Sequence, residues 1–104
     1  MAREVVFAPE ARDDLLQLYD YIAAQSGAAR ARTYAERILS YCLGFETFPE
    51  GGTRRDDLRP GLRVVGFGRR ATIAFHITDH TVIIDRILYG GRDLTIAFDT
   101  EGRA

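Results

Sequence analysis

The sequence predicts an α+β fold: an antiparallel sheet, an N-terminal helical hairpin packed on it, and a short helical turn near the C-terminal end. Three features point there. Apolar residues recur at helical spacing through two consecutive segments, residues 11–22 and 31–45, with only Ser26-Gly27 interrupting them. The second half changes to a period of two, cleanest over residues 71–78. Pro60-Gly61 and Gly90-Gly91 punctuate that half where strands begin and end.

In chain order, residues 3–8 (Arg-Glu-Val-Val-Phe-Ala) read as a first strand. Pro9 suits the first helical position, where its missing N–H costs nothing, and Glu10, Asp13 and Asp14 suit the positive end of a helix. Ala11, Leu15, Leu18, Tyr19 and Ile22 form the stripe of an amphipathic helix reaching Gln25, which Ser26-Gly27 breaks. A second helix over residues 28–45 carries Ala31, Tyr34, Ala35, Ile38, Cys42 and Phe45 on one side. So short a connection makes the two helices an antiparallel hairpin. Residues 49–53 are a loop, and the Pro60-Gly61 turn opens a strand over residues 62–67. In the next strand Ala71, Ile73, Phe75 and Ile77 point one way, and Thr72, Ala74, His76 and Thr78 the other. Thr78-Asp79-His80 turns into a last strand over residues 81–89, and residues 92–98 fit a final helical turn. The order is β-α-α-β-β-β.

At 104 residues, 46% hydrophobic and 28% charged, the chain is expected to form one domain over residues 1–104. No apolar run approaches the length of a membrane span and the N-terminus lacks a secretory pattern, so the expected location is the cytoplasm. Cys42 is the only cysteine, which excludes an internal disulfide; within an apolar stripe it reads as a buried structural thiol. The net charge of -1 argues against a general nucleic-acid binder.

All 14 basic residues are arginine. Six of them (Arg54, Arg55, Arg59, Arg63, Arg69, Arg70) fall between positions 54 and 70, against only Asp56 and Asp57. The guanidinium fork suits carboxylates and phosphates. The 54–63 segment therefore fits three roles: a phosphate site, a seat for an acidic partner, or a structural loop closed by Asp56 and Asp57. Arg86, between apolar strand residues, needs a carboxylate, either near Asp85 or from a helix. His76 and His80 read either as a metal or acid-base pair, or as a surface histidine and a turn residue. Without further ligands at suitable spacing, neither a metal nor a cofactor is expected.

The run Arg54-Arg55-Asp56-Asp57-Leu58-Arg59-Pro60-Gly61-Leu62-Arg63, then two apolar strands ending in Asp85-Arg86-Ile87-Leu88-Tyr89-Gly90-Gly91-Arg92-Asp93, resembles the ParE/RelE superfamily of bacterial toxins, and its ParE branch most. Residues 7–15, opening the helix pair, extend the resemblance over nearly the whole chain. It implies a toxin-antitoxin component neutralised by direct binding of a cognate ParD-like antitoxin, and of the kind associated with plasmid stabilisation. The antitoxin's flexible tail would fold onto the toxin while its dimeric part binds DNA, so the toxin contacts DNA only indirectly.

Two modes of action are known in the superfamily. ParE-type toxins block DNA gyrase without being nucleases, whereas RelE-type relatives cut messenger RNA on the ribosome using lysines, arginines and a C-terminal tyrosine or histidine. This chain has no lysine, and alignment of Gly90-Gly91-Arg92 with the Gly-X-Arg of the RNA-cutting relatives puts Phe98, which lacks a hydroxyl, at or near the tyrosine position. Losing a general acid or base costs roughly 100- to 10,000-fold in rate. The expectation is a non-enzymatic gyrase inhibitor. The alternatives are a ribonuclease using Tyr89, His76 or His80, and a non-toxic member that only binds antitoxin. Tyr19, Tyr34, Arg59 and Arg63 are the expected antitoxin contacts, and Tyr89, Arg92 and Phe98 the expected target contacts; each tyrosine alternatively completes the core. Two departures from the family pattern bear on target contacts rather than fold. His76-Ile77 replaces a common Tyr-Arg, and Tyr89-Gly90-Gly91 replaces a histidine with further basic residues.

Overall fold

Pro9 and Gly27 bracket the first helix as their backbone preferences dictate. Pro9 occupies its first turn, and Gly27, at φ 95°, both ends that helix and begins the next. The Gly27 N–H donates to Ala23 O, and its own carbonyl accepts from the Ala31 N–H. One residue thus serves as cap to two helices, which is why the hairpin needs no longer loop. A computed structural model describes residues 3–90 and 94–99. The elements are β1 (Glu4–Phe7), α1 (Pro9–Ser26), α2 (Ala28–Leu43), a 3-10 turn at Gly44–Glu46, β2 (Thr53–Arg54), β3 (Arg63–Phe67), β4 (Ala71–Ile77), β5 (Thr81–Tyr89) and α3 (Leu94–Asp99).

The expected α+β class and element order hold, with two additions. The sheet runs β1-β5-β4-β3-β2, and β1 lies parallel to β5, with Glu4 opposite Thr81 and Phe7 opposite Ile84, so the sheet is mixed. No tight turn ties β1 to a neighbour, and the hairpin carries the chain away, leaving β1 to cover the otherwise open side of the apolar β5. The second addition is β2, within a segment read as loop. Gly52 permits it: at φ 77°, a Cβ there would lie 2.5 Å from the backbone oxygen of Val64. Gly52→Ala is expected to lose about 1–3 kcal/mol in urea unfolding. Gly51→Ala, where an added Cβ meets nothing within 4 Å, should be near neutral.

The core forms on both faces of the sheet. On the hairpin side, Ala11, Leu18, Ile22, Ala31, Ile38 and Cys42 pack against Ile73 and Phe75 of β4 and Val82, Ile84 and Ile87 of β5. Phe45 stacks on Phe75 with ring centroids 4.3 Å apart. Cys42 is the buried thiol expected, and burial pushes its pKa up to about 12. On the opposite face a smaller cluster joins Leu62, Ala74 and Phe98, with Leu58, Val64, Leu94 and Ala97 around it.

Among the described residues two carboxylates are buried, Asp14 and Asp85, and a bulge in β5 sets what each of them meets. Ala74 pairs with Arg86 but Phe75 pairs with Ile84, so Asp85 is an extra residue on β5. The side-chain phase slips there: Val82 and Ile84 face the helices before it, Ile87 and Tyr89 after it. Arg86, kept out of the apolar core by the slip, still reaches α1, where its Nε donates to Asp14 Oδ2 at 2.7 Å and its Nη2 to Asp14 Oδ1 at 2.9 Å. The Ile87 N–H donates to the same carboxylate at 2.9 Å. β1 has ended opposite Ile84, so Asp14 caps the stretch of β5 that β1 leaves uncovered. The helix acid expected for Arg86 is Asp14, itself only 3% exposed.

Candidate functional site

On the face away from the hairpin, the bulge presents Asp85 to two side chains. His76 Nδ1 lies 2.7 Å from Asp85 Oδ2, and Arg59 Nη1 lies 3.7 Å from Asp85 Oδ1. The Arg59 guanidinium also sits 4.8 Å from the centre of the Phe98 ring. Asp85 is buried, while His76 and Arg59 each keep about a third of their side chains in solvent. An ionised carboxylate only accepts, so Nδ1 is the donor of that contact, and the tautomer with its proton there leaves Nε2 as an acceptor. That is the arrangement of an oriented general base, and equally a sufficient way to satisfy a buried carboxylate.

His76 and His80 do not form a pair. His80 belongs to the β4–β5 turn, and the partner of His76 is Asp85, nine residues away and across the hairpin. Sequence reasoning missed Asp85; its signal was a lone acid interrupting an apolar strand. Among the described residues, no three His, Cys, Asp or Glu side chains cluster as metal ligands.

The arginine-rich segment is largely satisfied from within. Arg54 pairs with Asp56 at 3.1 Å, and Arg55 holds Asp57 through Nε at 3.0 Å and Nη2 at 2.9 Å. The Gly61 N–H donates to Asp56 Oδ1 at 2.8 Å, closing the turn. That bond, with Arg54 beside it, holds the Asp56 carboxyl below its ordinary pKa, and Arg55 does the same for Asp57. Arg63 donates to the Glu50 carbonyl at 3.2 Å. Of the three roles open to this segment, the geometry has the form of a salt-bridged loop. Arg59 and Arg63 do not share a rim either: Arg63 is in register with Phe75, whose ring faces the hairpin, whereas Arg59 lies on the other face.

The hairpin side carries a row of tyrosines. Tyr21 and Tyr34 meet Tyr89 edge to face at 5.7 and 5.6 Å, and Tyr34 also meets Phe67 at 5.8 Å. Tyr89 divides a groove into two hollows. One, of about 390 Å3, is lined by Asp14, Gln17, Leu18, Tyr21 and Gly90; the other, of about 480 Å3, by Ser26, Ala29, Arg30, Thr33, Tyr34 and Arg37 among others. Burial, and then Tyr89, raise the Tyr34 phenol pKa, while Arg37 and Arg70 oppose the rise. Tyr19 is half-buried against the same core. Tyr34 and Tyr89, expected to serve different partners, are therefore neighbours. Tyr89 and Phe98, expected to serve one, lie on opposite faces of the sheet. Arg92 lies outside the described residues.

Residues 5–94 match the family described as ParE toxin of type II toxin-antitoxin system, parDE. The chain belongs to the ParE toxin family. The fold agrees. The chromosomal ParDE toxin-antitoxin system of P. aeruginosa offers a chain 20% identical over 86% of this chain and 97% of its own, with a TM-score of 0.75. A chain of the RelBE2 toxin-antitoxin complex of Mycobacterium tuberculosis is 20% identical over 86% of this chain and 99% of its own, with a TM-score of 0.61. No curated protein matches the sequence. The ParE match spans both buried carboxylates and the His76–Asp85 pair but stops at the start of α3, short of Phe98.

Proposed function

We propose that this ParE-family toxin acts in the cytoplasm by inhibiting DNA gyrase, without enzymatic activity, and is neutralised by a cognate antitoxin. The observation that carries the non-enzymatic part is the place of Phe98. The residue at or near the catalytic tyrosine position of RNA-cutting relatives is here a phenyl ring, 3% exposed, packed beneath Arg59 and against Leu62 and Ala74. It carries no titratable group and does not reach solvent. Tyr19 and Tyr34 on the hairpin side suit antitoxin contact better than Arg59 and Arg63, whose polar groups have partners within the chain. Tyr89, Arg92 and the α3 helix that Phe98 docks on the sheet remain the proposed target contacts. No helix among the described residues is long and apolar enough to cross a membrane.

One observation favours the ribonuclease reading. The His76–Asp85 pair supplies an oriented acceptor beside a guanidinium, which the RNA-cutting mechanism could use. A paired assay separates the two. Purified protein is expected to abolish gyrase supercoiling and accumulate cleaved DNA, with His76→Ala fully active and no messenger RNA cut on ribosomes. Ribosome-dependent cleavage that falls about 100-fold or more in His76→Ala, with gyrase untouched, would replace this reading by the nuclease one.

A further inference from the structure

A further hollow, away from the tyrosine groove, opens on the other side of the helices. Phe7 of β1, Leu15 and Leu16 of α1 and Leu39 of α2 line it, together with Arg12, and its volume is about 360 Å3. Leu16 is 65% exposed, and Leu43, one turn beyond Leu39, is 53% exposed. Arg12, Leu16 and Asp20 recur every four positions along α1, and Arg32, Glu36, Leu39 and Leu43 at spacings of three or four along α2. Each set therefore shares one side of its helix. The leucines lie at the hollow, and the exposed charges beside them are of both signs. Among the described residues neither Arg12 nor Glu36 makes an ion pair, whereas Arg54 and Arg55 are each closed by an aspartate.

We propose that this face seats a second copy of the chain, docked about a two-fold axis that passes through the hollow. The register of the hairpin carries the argument. Leu15 lies twelve positions before Gly27 and Leu39 twelve after it, so the two stand level across the hairpin and face one hollow. Arg12 is three positions further from the turn than Leu15, and Glu36 three positions nearer to it than Leu39. The two are thus displaced by about 4.5 Å in opposite directions, on opposite helices. A two-fold axis between Leu15 and Leu39 inverts both displacements and exchanges the helices, so it carries Arg12 of one copy onto Glu36 of the other. The pair forms twice, once on each side of the axis, with Leu16 of each copy close to the axis over the other's Leu39. A partner of one charge sign would not match a face that carries Arg12 and Arg32 beside Asp20 and Glu36; a copy of the same face does. Two helices of 18 and 16 residues offer a face about 25 Å long and roughly 20 Å wide, or about 500 Å2 in projection. That is less than the ~800 Å2 per partner of a standard interface, so the dimer is weak and forms at high concentration. None of this depends on the toxin reading.

The test is sedentation equilibrium of the purified full chain from about 1 to 500 μM. The mean mass is expected to rise from 11.7 kDa toward twice that, with a dissociation constant on the order of 10–100 μM. Leu16→Lys should weaken the dimer about tenfold or more by placing two charges beside the axis. Arg12→Glu and Glu36→Arg each set like charges against one another at both pairs and should weaken it by a similar factor. The exchange Arg12→Glu/Glu36→Arg restores opposite charges across the axis and should recover the parent constant within about threefold. Arg30→Glu changes a charge on the tyrosine groove and should leave the constant as it is. All four positions are exposed, and circular dichroism verifies the fold of each variant. A chain that stays monomeric throughout would overturn the proposal and leave the face to a different protein. A dimer indifferent to Leu16→Lys would overturn it too, by placing the contact elsewhere. An exchanged variant as weak as the two single ones would overturn the two-fold register, and with it the reason for choosing a second copy.

Discussion

Asp14→Ala is expected to destabilise the protein by about 3–5 kcal/mol, a large share of the 5–15 kcal/mol available to a domain of this size. Asp14 is 3% exposed, and its carboxylate accepts hydrogen bonds from Arg86 Nε, Arg86 Nη2 and the Ile87 N–H. Removing it takes a counter-charge from a guanidinium whose side chain is 16% exposed, and the acceptor from a backbone N–H that β1 does not reach. The pair's net worth is much smaller than the cost of breaking it, because ionising both groups inside the protein already carries a desolvation penalty. Asp14→Leu/Arg86→Met should therefore be more stable than Asp14→Leu alone, even though it lacks both charges. Asp14→Asn keeps an acceptor for Ile87 but no counter-charge, and should fall between parent and Asp14→Ala. Urea unfolding checks the order. A loss below about 1 kcal/mol for Asp14→Ala would mean that the pair behaves as a solvent-exposed surface bridge.

This ion pair also marks the limit of what the sequence makes legible. Elements were readable because each is specified locally, by Pro9, by Gly27, by the alternation through β4. The Arg86 partner was readable only as a carboxylate, near Asp85 or from a helix, because which strand and helix residues meet depends on the β5 bulge. A trace of the bulge is present: Val82 and Ile84 keep a period of two, and the next core residue is Ile87, three positions on. A strict alternation would have buried Arg86 in the helix-facing core and turned Ile87 outward. The same slip places Asp85 next to His76, so missing the bulge meant missing that polar network on the far face. The parallel pairing of β1 left no such trace, since a strand's partner across 77 residues is decided by the global packing. Arginine clustering was conspicuous in the sequence, yet Arg30 and Arg37, which line the tyrosine groove and make no ion pair among the described residues, lie outside the cluster.

Phe98→Ala is expected to lose about 3–5 kcal/mol and to detach α3. The six residues of Leu94–Asp99 are too few to hold a helix by themselves, so docking through Phe98 sustains the element. The ring fills the smaller core with Leu62 and Ala74, and Arg59 covers it. Without it, Leu62 and Ala74 reach water and Arg59 loses the surface on which it lies. Amide exchange should quicken over α3 and β3, while Ile38, Phe75 and Ile84, on the hairpin side, stay protected. Ile96→Ala on the same helix, at a position 64% exposed, should cost under about 1 kcal/mol. The double readout then assigns the faces. A folded Phe98→Ala chain that still binds antitoxin but no longer arrests growth places the target on the α3 side of the sheet, and partner and target on opposite faces. Unchanged toxicity from the same variant would move the target contacts to the tyrosine groove, where they would compete with the antitoxin directly.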